Sequence, residues 1–302
     1  MTFGSQTDEA TAIAMVDYCL DAGVNFFDTA DVYNAGRSEE ILGKALGGRR
    51  RAVVLASKVG GVAVGTEVPD RLSRGSIVGA VEASLRRLNT EYLDIYYLHV
   101  PDRSVPLEET LEAMDQLIRQ GKIRYAGASN YASWQICRMH WLAERHGYPP
   151  MGVTQVAYSL LARGIEQEYL PMCSELGVSV VAYNPLAGGL LTGKHPPQAP
   201  LPGTRFERNR SYLDRYWKEG NLRAVQRLAG LAEAAGRSPV ALALNWLLYH
   251  TPIDCVVLGA SRLEQLRENL TALEQGALPP DLISACDQVC ADLRGTMPPY
   301  NR

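Results

Sequence analysis

The chain has 302 residues and a mass of 33.1 kDa, is 46% hydrophobic and 21% charged, and carries a formal net charge of -3 with a pI near 6.0. That is chain enough for one large α/β domain, expected here over residues 1–302, and no basic field attracts nucleic acid or anionic lipid. No apolar run approaches the roughly 20 residues that span a bilayer, and the opening residues lack the basic and apolar regions of a secretion signal.

The six cysteines at 19, 137, 173, 255, 286 and 290 form no CxxC pair. Cys286 and Cys290 lie one helical turn apart without a His or Cys partner, so they read as packed small residues, and no metal is expected. Scattered thiols suit a reducing compartment, and a cytoplasmic location is expected.

Strand-like and helix-like segments alternate along the chain. A helix over 9–22 ends at Gly23 and feeds a strand over 25–28. Ser38 reads as an N-cap for a helix to about residue 46, with Glu39 and Glu40 favouring its positive end. A strand over 53–57 follows, then a helix over 74–88 and a strand over 93–98. Next come a helix over 107–120, a strand over 125–128, a helix over 132–145 and a strand over 153–157. A helix over 168–176 leads to a strand over 178–183. Helices over 221–235 and 239–248, a strand over 255–258, and helices over 263–273 and 280–293 complete the series.

Several strands are apolar throughout rather than alternating, as expected of strands covered on both faces. Seven strands each followed by helix argue for parallel βα units and a (β/α)8 TIM barrel. An open doubly wound sheet would want a glycine-rich dinucleotide fingerprint in its first βα turn, and none is present. The longest irregular segment, 188–216, follows a late strand, where functional loops are expected.

Within it, Gly188 to Lys194 copies the spacing of a P-loop. His195 stands where Ser or Thr would hold magnesium, and two prolines follow, so a nucleotide-hydrolysing site is rejected. The glycines still allow the backbone to approach an anion, a cofactor pyrophosphate above all.

The informative residues close three strands: Asp28 with Tyr33 just beyond, then Lys58, then His99. Carboxyl ends of parallel strands converge on one rim, which in a barrel holds the active site. Tyrosine beside lysine, aspartate and histidine is a plausible proton donor to a carbonyl oxygen. Asp28 and Lys58 alone would read as a structural ion pair; all four after strands do not.

On these residues the chain resembles the aldo-keto reductases along nearly its whole length. Further matching stretches are 97–102, Ser129-Asn130, Gln155, 183–194 and 259–269. Stretches 129–134, 187–194 and 212–219, with the tail 299–302, are most similar to the aflatoxin aldehyde reductase branch.

The resemblance implies that Tyr33 protonates the carbonyl as hydride arrives from NADPH. A tyrosine pKa of about 10 is high for this task at neutral pH. Lys58 would lower it, Asp28 would hold Lys58, and His99 would orient the substrate carbonyl. Ser129, Asn130 and Gln155 would bond the carboxamide, with Tyr183 stacked on the nicotinamide. Asn184, Pro185, Leu186, Gly188, Leu190, Lys194 and Arg205 would embrace the pyrophosphate and adenosine side. Gly259, Ser261, Arg262, Gln265 and Asn269, at a helix start, would take the 2′-phosphate; a plain N-capped helix is the alternative there. Tyr212, Arg215 and Arg302 would face a carboxylated or dicarbonyl aldehyde.

The opening Met1-Thr2-Phe3-Gly4 matches only the tail of the family's first strand, so a truncated first strand is expected, either because the protein starts further upstream or because the barrel's first strand is weakened. A small aldehyde or ketone is the expected partner, with no nucleic acid or membrane, and the chain is expected as monomer or homodimer. A non-enzymatic, nucleotide-binding regulatory protein on the same fold is the alternative.

Overall fold

The computed structural model describes residues 1–62 and 68–294. Helices and strands alternate in chain order: α1 Glu9–Asp21, β1 Phe26–Asp28, α2 Arg37–Leu46, β2 Val54–Val59, α3 Arg74–Leu88, β3 Leu93–Leu98, α4 Leu107–Arg119, β4 Ile123–Ser129, α5 Ser133–His146, β5 Val153–Ala157, α6 Tyr169–Leu176, β6 Ser179–Tyr183. Short helices α7 Arg205–Arg208 and α8 Arg210–Tyr216 follow, then α9 Glu219–Ala234, α10 Pro239–Tyr249, β7 Cys255–Val256, α11 Leu263–Leu273 and α12 Pro280–Arg294. The α/β class and the βα repeat of the (β/α)8 barrel are those expected.

The chain groups into two compact units. The first holds Met1–Gln155, Met172–Ser179 and Gly259–Leu266; the second holds Val156–Pro171, Val180–Leu258 and Arg267–Arg302. In the first, β1 to β5 pair in sequence order, every pair parallel. In the second, β6 pairs in parallel with β7.

Local chemistry accounts for the boundaries. Asp8 caps α1 by accepting from the Thr11 N–H at 2.8 Å. Ser73 and Ser238 cap α3 and α10 the same way, and Pro239 opens α10 where its missing N–H is harmless. α5 stops at left-handed Gly147. α4 buries Leu111, Met114 and Leu117, one face at helical spacing. Each such side chain contributes about 1.5–3 kcal/mol by leaving water.

Two expectations are corrected. Ser38 is no N-cap: Gly36, at φ 88°, holds that position, and Ser38 is buried within α2, its hydroxyl 3.0 Å from that of Thr29. The segment 188–216 is not irregular throughout, because α7 and α8 and a 3-10 turn over Ala187–Thr192 occupy much of it. In keeping with a truncated first strand, Met1–Gly4 forms no strand, and Phe3 makes one isolated parallel bridge to Thr7.

Candidate active site

Parallel register puts the first group on one face of the sheet. Asp28 pairs with Ala56, Ala56 with Ile95, and Lys58 with Tyr97. Side chains alternate along a strand, so Asp28, Lys58 and Tyr97 share a face, and His99, two residues past Tyr97, continues it.

Lys58 and Asp28 form a buried ion pair, with side chains 1% and 5% exposed. The Lys58 ammonium also donates to the Thr29 carbonyl at 2.8 Å. Its nitrogen lies 5.1 Å from the centre of the Tyr33 ring, and the two side chains are hydrogen-bonded. Burial alone would lower the Lys58 pKa. The Asp28 carboxylate, and then Tyr33, outweigh it, and the ammonium stands above its ordinary value. Lys58 is therefore a fixed cation held against the tyrosine.

His99 meets Tyr33 edge to face, with ring centres 5.8 Å apart. Burial, reinforced by the Lys58 charge, lowers its pKa to about 3, so the imidazole is neutral at neutral pH. Its Nδ1 is buried and has no hydrogen-bond partner among the described residues. Gly61 makes room for it: a Cβ there would stand 2.6 Å from Nδ1.

Ser129, Asn130 and Gln155 join this group. The Asn130 amide donates to the His99 carbonyl at 2.9 Å and to the Ser129 hydroxyl at 3.0 Å. Ser129 donates to the Gln155 carbonyl at 2.8 Å, and the Gln155 amide donates to Asp28 at 2.8 Å. A chain of hydrogen bonds thus runs from His99 back to Asp28. Sequence reasoning missed the Gln155–Asp28 link, since nothing local in residues 127 positions apart announces it.

It also missed Glu39. This carboxylate is fully buried, accepting from the Ser57 hydroxyl at 2.5 Å and the Arg87 guanidinium at 2.6 Å. The signal was present: Glu39 lies three, four and seven residues before Leu42, Gly43 and Leu46 on the buried face of α2. Burial, and then the Glu39 charge, push the nearby Asp31 carboxyl up to about 6.

The first unit also holds Gly259, Ser261, Arg262 and Gln265. The Ser261 N–H and hydroxyl both lie 3.1 Å from the Gln265 side-chain oxygen. Arg262 is exposed, and a Cβ on Gly259 would meet nothing within 4 Å. Asn269 is not at the helix start; it is buried midway along α11 and falls in the second unit.

The remaining candidates lie in the second unit. Asn184 and Ala187 have φ of 57° and 49°, and Gly188 and Gly189 have 72° and 106°. A Cβ on Gly188 would meet Tyr212 at 2.7 Å, so only glycine fits beneath that ring. The Tyr212 hydroxyl donates to Asn184 at 3.2 Å, and the Asn184 amide reaches the Tyr216 hydroxyl at 3.4 Å. Arg205 lies over the Tyr212 ring at 4.9 Å. Arg215 stands 6.0 Å from the Tyr212 and Tyr216 ring centres and hydrogen-bonds Tyr183 and Tyr216. Neither arginine has an ion pair among the described residues. Burial pushes the Tyr183 phenol up to about 12. Pro185 and Leu190 are buried, Leu186 half-buried and Lys194 exposed. His195, Phe206 and Trp217 pack edge to face at 5.2–5.6 Å. Arg302 lies outside the described residues.

The aldo/keto reductase family model matches residues 1–291. Aflatoxin B1 aldehyde reductase member 2 of Rattus norvegicus is 36% identical, with all of this chain and 86% of that protein covered. A protein named uncharacterized oxidoreductase YrpG, from Bacillus subtilis, is 37% identical over 91% of this chain and 85% of its own length. A probable voltage-gated potassium channel subunit beta of Arabidopsis thaliana is 36% identical over 96% of this chain and 90% of its own length. The chain belongs to the aldo/keto reductase family.

Proposed function

We propose that this oxidoreductase reduces small aldehydes with NADPH, preferring those that carry a carboxylate or second carbonyl. The observation that carries the reading is a neutral histidine meeting a tyrosine edge to face, with a buried lysine cation bonded to the tyrosine. When bound, the nicotinamide supplies the hydride. Tyr33 gives its hydroxyl proton to the carbonyl oxygen. Lys58 stabilises the phenolate left behind. Lowering a tyrosine by three units takes roughly 4 kcal/mol, which a desolvated ammonium can supply. Asp28 keeps Lys58 charged and in place, while Gln155 orients Asp28. His99, neutral across the working range, donates to the carbonyl oxygen without carrying charge.

The residues fit such a cofactor. Gly189, with φ 106° and no atom within 4 Å of where a Cβ would stand, lets an anionic group approach the backbone. Arg205, without a carboxylate among the described residues, suits the pyrophosphate side, and Ser261 and Arg262 suit the 2′-phosphate that separates NADPH from NADH. Asn130, Ser129 and Tyr183 are assigned to the nicotinamide end. Arg215 is assigned to the substrate carboxylate, since a guanidinium binds it bidentately.

Disappearance of NADPH absorbance with succinic semialdehyde, tested beside Tyr33→Phe, decides the reading. Turnover in the wild type and its loss in the variant support it. Equal turnover in both removes Tyr33 from the role, and equal kcat/KM for NADPH and NADH removes the phosphate assignment. The channel-subunit relatives favour one other reading, a nucleotide-binding regulatory protein; nucleotide binding without turnover on any aldehyde would favour it.

A further inference from the structure

Directly after Tyr33 the backbone takes three left-handed steps: Asn34 at φ 51°, Ala35 at 53° and Gly36 at 88°. Glycine adopts this region freely and asparagine tolerates it, but for alanine it costs roughly 1–2 kcal/mol. Such strain persists only where surrounding contacts over-determine the conformation. Here those contacts come from the opening residues. The Asn34 amide donates to the Phe3 carbonyl at 2.6 Å and to the Met1 carbonyl at 3.0 Å.

The same opening residues are tied elsewhere. The Thr2 hydroxyl donates to the Ala260 carbonyl at 3.0 Å, and the Thr7 hydroxyl to the Ser261 carbonyl at 3.0 Å. Thr7 is only 1% exposed. Between these ties the segment is knitted: Gly4 N–H donates to Thr7 at 2.9 Å, and Thr7 N–H to Thr2 at 3.1 Å. One short piece of chain thus grips the turn after Tyr33 and the segment carrying Ser261.

We infer that residues 1–7 form a strut coupling the 259–262 segment to the Tyr33 turn, with Asn34 as a positioning residue for Tyr33. The inference rests on the reading of Tyr33 as proton donor. The Tyr33 carbonyl accepts from the N–H groups of Gly36 and Ser38 at 3.2 and 3.3 Å, so the turn's geometry sets that of Tyr33. A ligand phosphate that orders Ser261 pulls on the same strut that holds Asn34. Phosphate binding and proton-donor alignment are then linked without direct contact between them.

Three variants of the full chain test this. Asn34→Gly keeps the left-handed turn free of strain but removes both amide bonds. Asn34→Ala removes the bonds and adds strain. Thr2→Val with Thr7→Val cuts the other ties while keeping side-chain shape. The expected result is kcat lower by about ten-fold in Asn34→Gly, as a small misplacement near reacting atoms produces. The KM for NADPH should stay within about two-fold, since no cofactor contact is lost. Asn34→Ala should be worse. Thr2→Val with Thr7→Val should speed amide exchange in 31–38, and joining it to Asn34→Gly should cost no more kcat than Asn34→Gly alone. An unchanged kcat in Asn34→Gly, additive losses, or exchange altered only near 259–262 would each overturn the strut. If the wild type reduces no aldehyde, the proposed reaction fails while the exchange measurement still decides the coupling.

Discussion

Lys58 in the first unit and Arg215 in the second are both cations set among tyrosines, and they differ in their counter-charge. Lys58 is buried against the Asp28 carboxylate, which itself accepts from Gln155. Arg215, like Arg205, lies against tyrosine rings and hydroxyls and makes no ion pair among the described residues. A buried cation without a partner would shed its proton, so Lys58 needs Asp28 to stay charged. A partly exposed guanidinium keeps its charge in any case and can leave its counter-ion to be supplied by a ligand. The difference separates a charge held by its own carboxylate from one with no carboxylate partner among the described residues.

The sharpest way to break the first half is Lys58→Met. It leaves the Asp28 carboxylate buried and unpaired, a change that costs about 3–5 kcal/mol. Chemical denaturation should show that loss alongside abolished turnover; a variant as stable as wild type would deny the Lys58–Asp28 pair that contribution. Tyr33→Phe should lower kcat about 10²- to 10⁴-fold while nucleotide binding, read by titration, stays unchanged.

The second half is tested by Arg215→Ala and Arg215→Lys. Hydrogen bonds to charged groups contribute about 1.5–3 kcal/mol, so kcat/KM for succinic semialdehyde should drop about 10- to 100-fold. An uncharged aldehyde of similar size should be little affected, and lysine should rescue poorly, lacking the planar fork. Equal losses on both substrates would deny Arg215 a carboxylate.

The smallest effect concerns Asp31, whose carboxyl is pushed up to about 6. Between its unfolded value of about 4 and that value, the native state holds the extra proton, so its contribution to stability falls as pH rises through this window. Asp31→Asn should therefore raise stability at pH 7 by about 1 kcal/mol, a figure discounted for partial exposure, and leave pH 4 unchanged. His99 works with the opposite sign: lowered to about 3, it withdraws stability as pH falls below its unfolded value. Urea melts of wild type, Asp31→Asn and His99→Gln across pH separate the two.

Much of this molecule is legible in its residues, because the governing rules are local. Gly23 and Gly147 end helices, apolar runs mark covered strands, and polar residues closing β1, β2 and β3 announce a site. What escaped is non-local or depends on backbone handedness. Ser38 looks like a cap from its neighbours, yet three left-handed residues move the helix start to Gly36 and turn Ser38 inward. The bond from the Gln155 nitrogen to Asp28 joins residues 127 positions apart, and no local pattern announces it. Asn34 carries no motif at all, and its importance comes only from carbonyls more than thirty residues away. The helices α7 and α8 were hidden by the glycines and prolines around them.

The ring cluster of His195, Phe206 and Trp217 has an optical consequence. Of the four tryptophans, Trp134 and Trp141 are exposed on α5 and Trp246 is fully buried on α10, all three outside the 184–217 segment. Trp217 alone belongs to that segment, and its neighbour His195 is a ring that quenches indole more strongly once protonated. Burial, and then the Lys194 charge, lower the His195 pKa and favour the unprotonated, weakly quenching form, whose Nδ1 accepts from the Leu201 N–H at 3.2 Å. The segment thus carries its own fluorophore, and a rearrangement within it can be followed by light without any label.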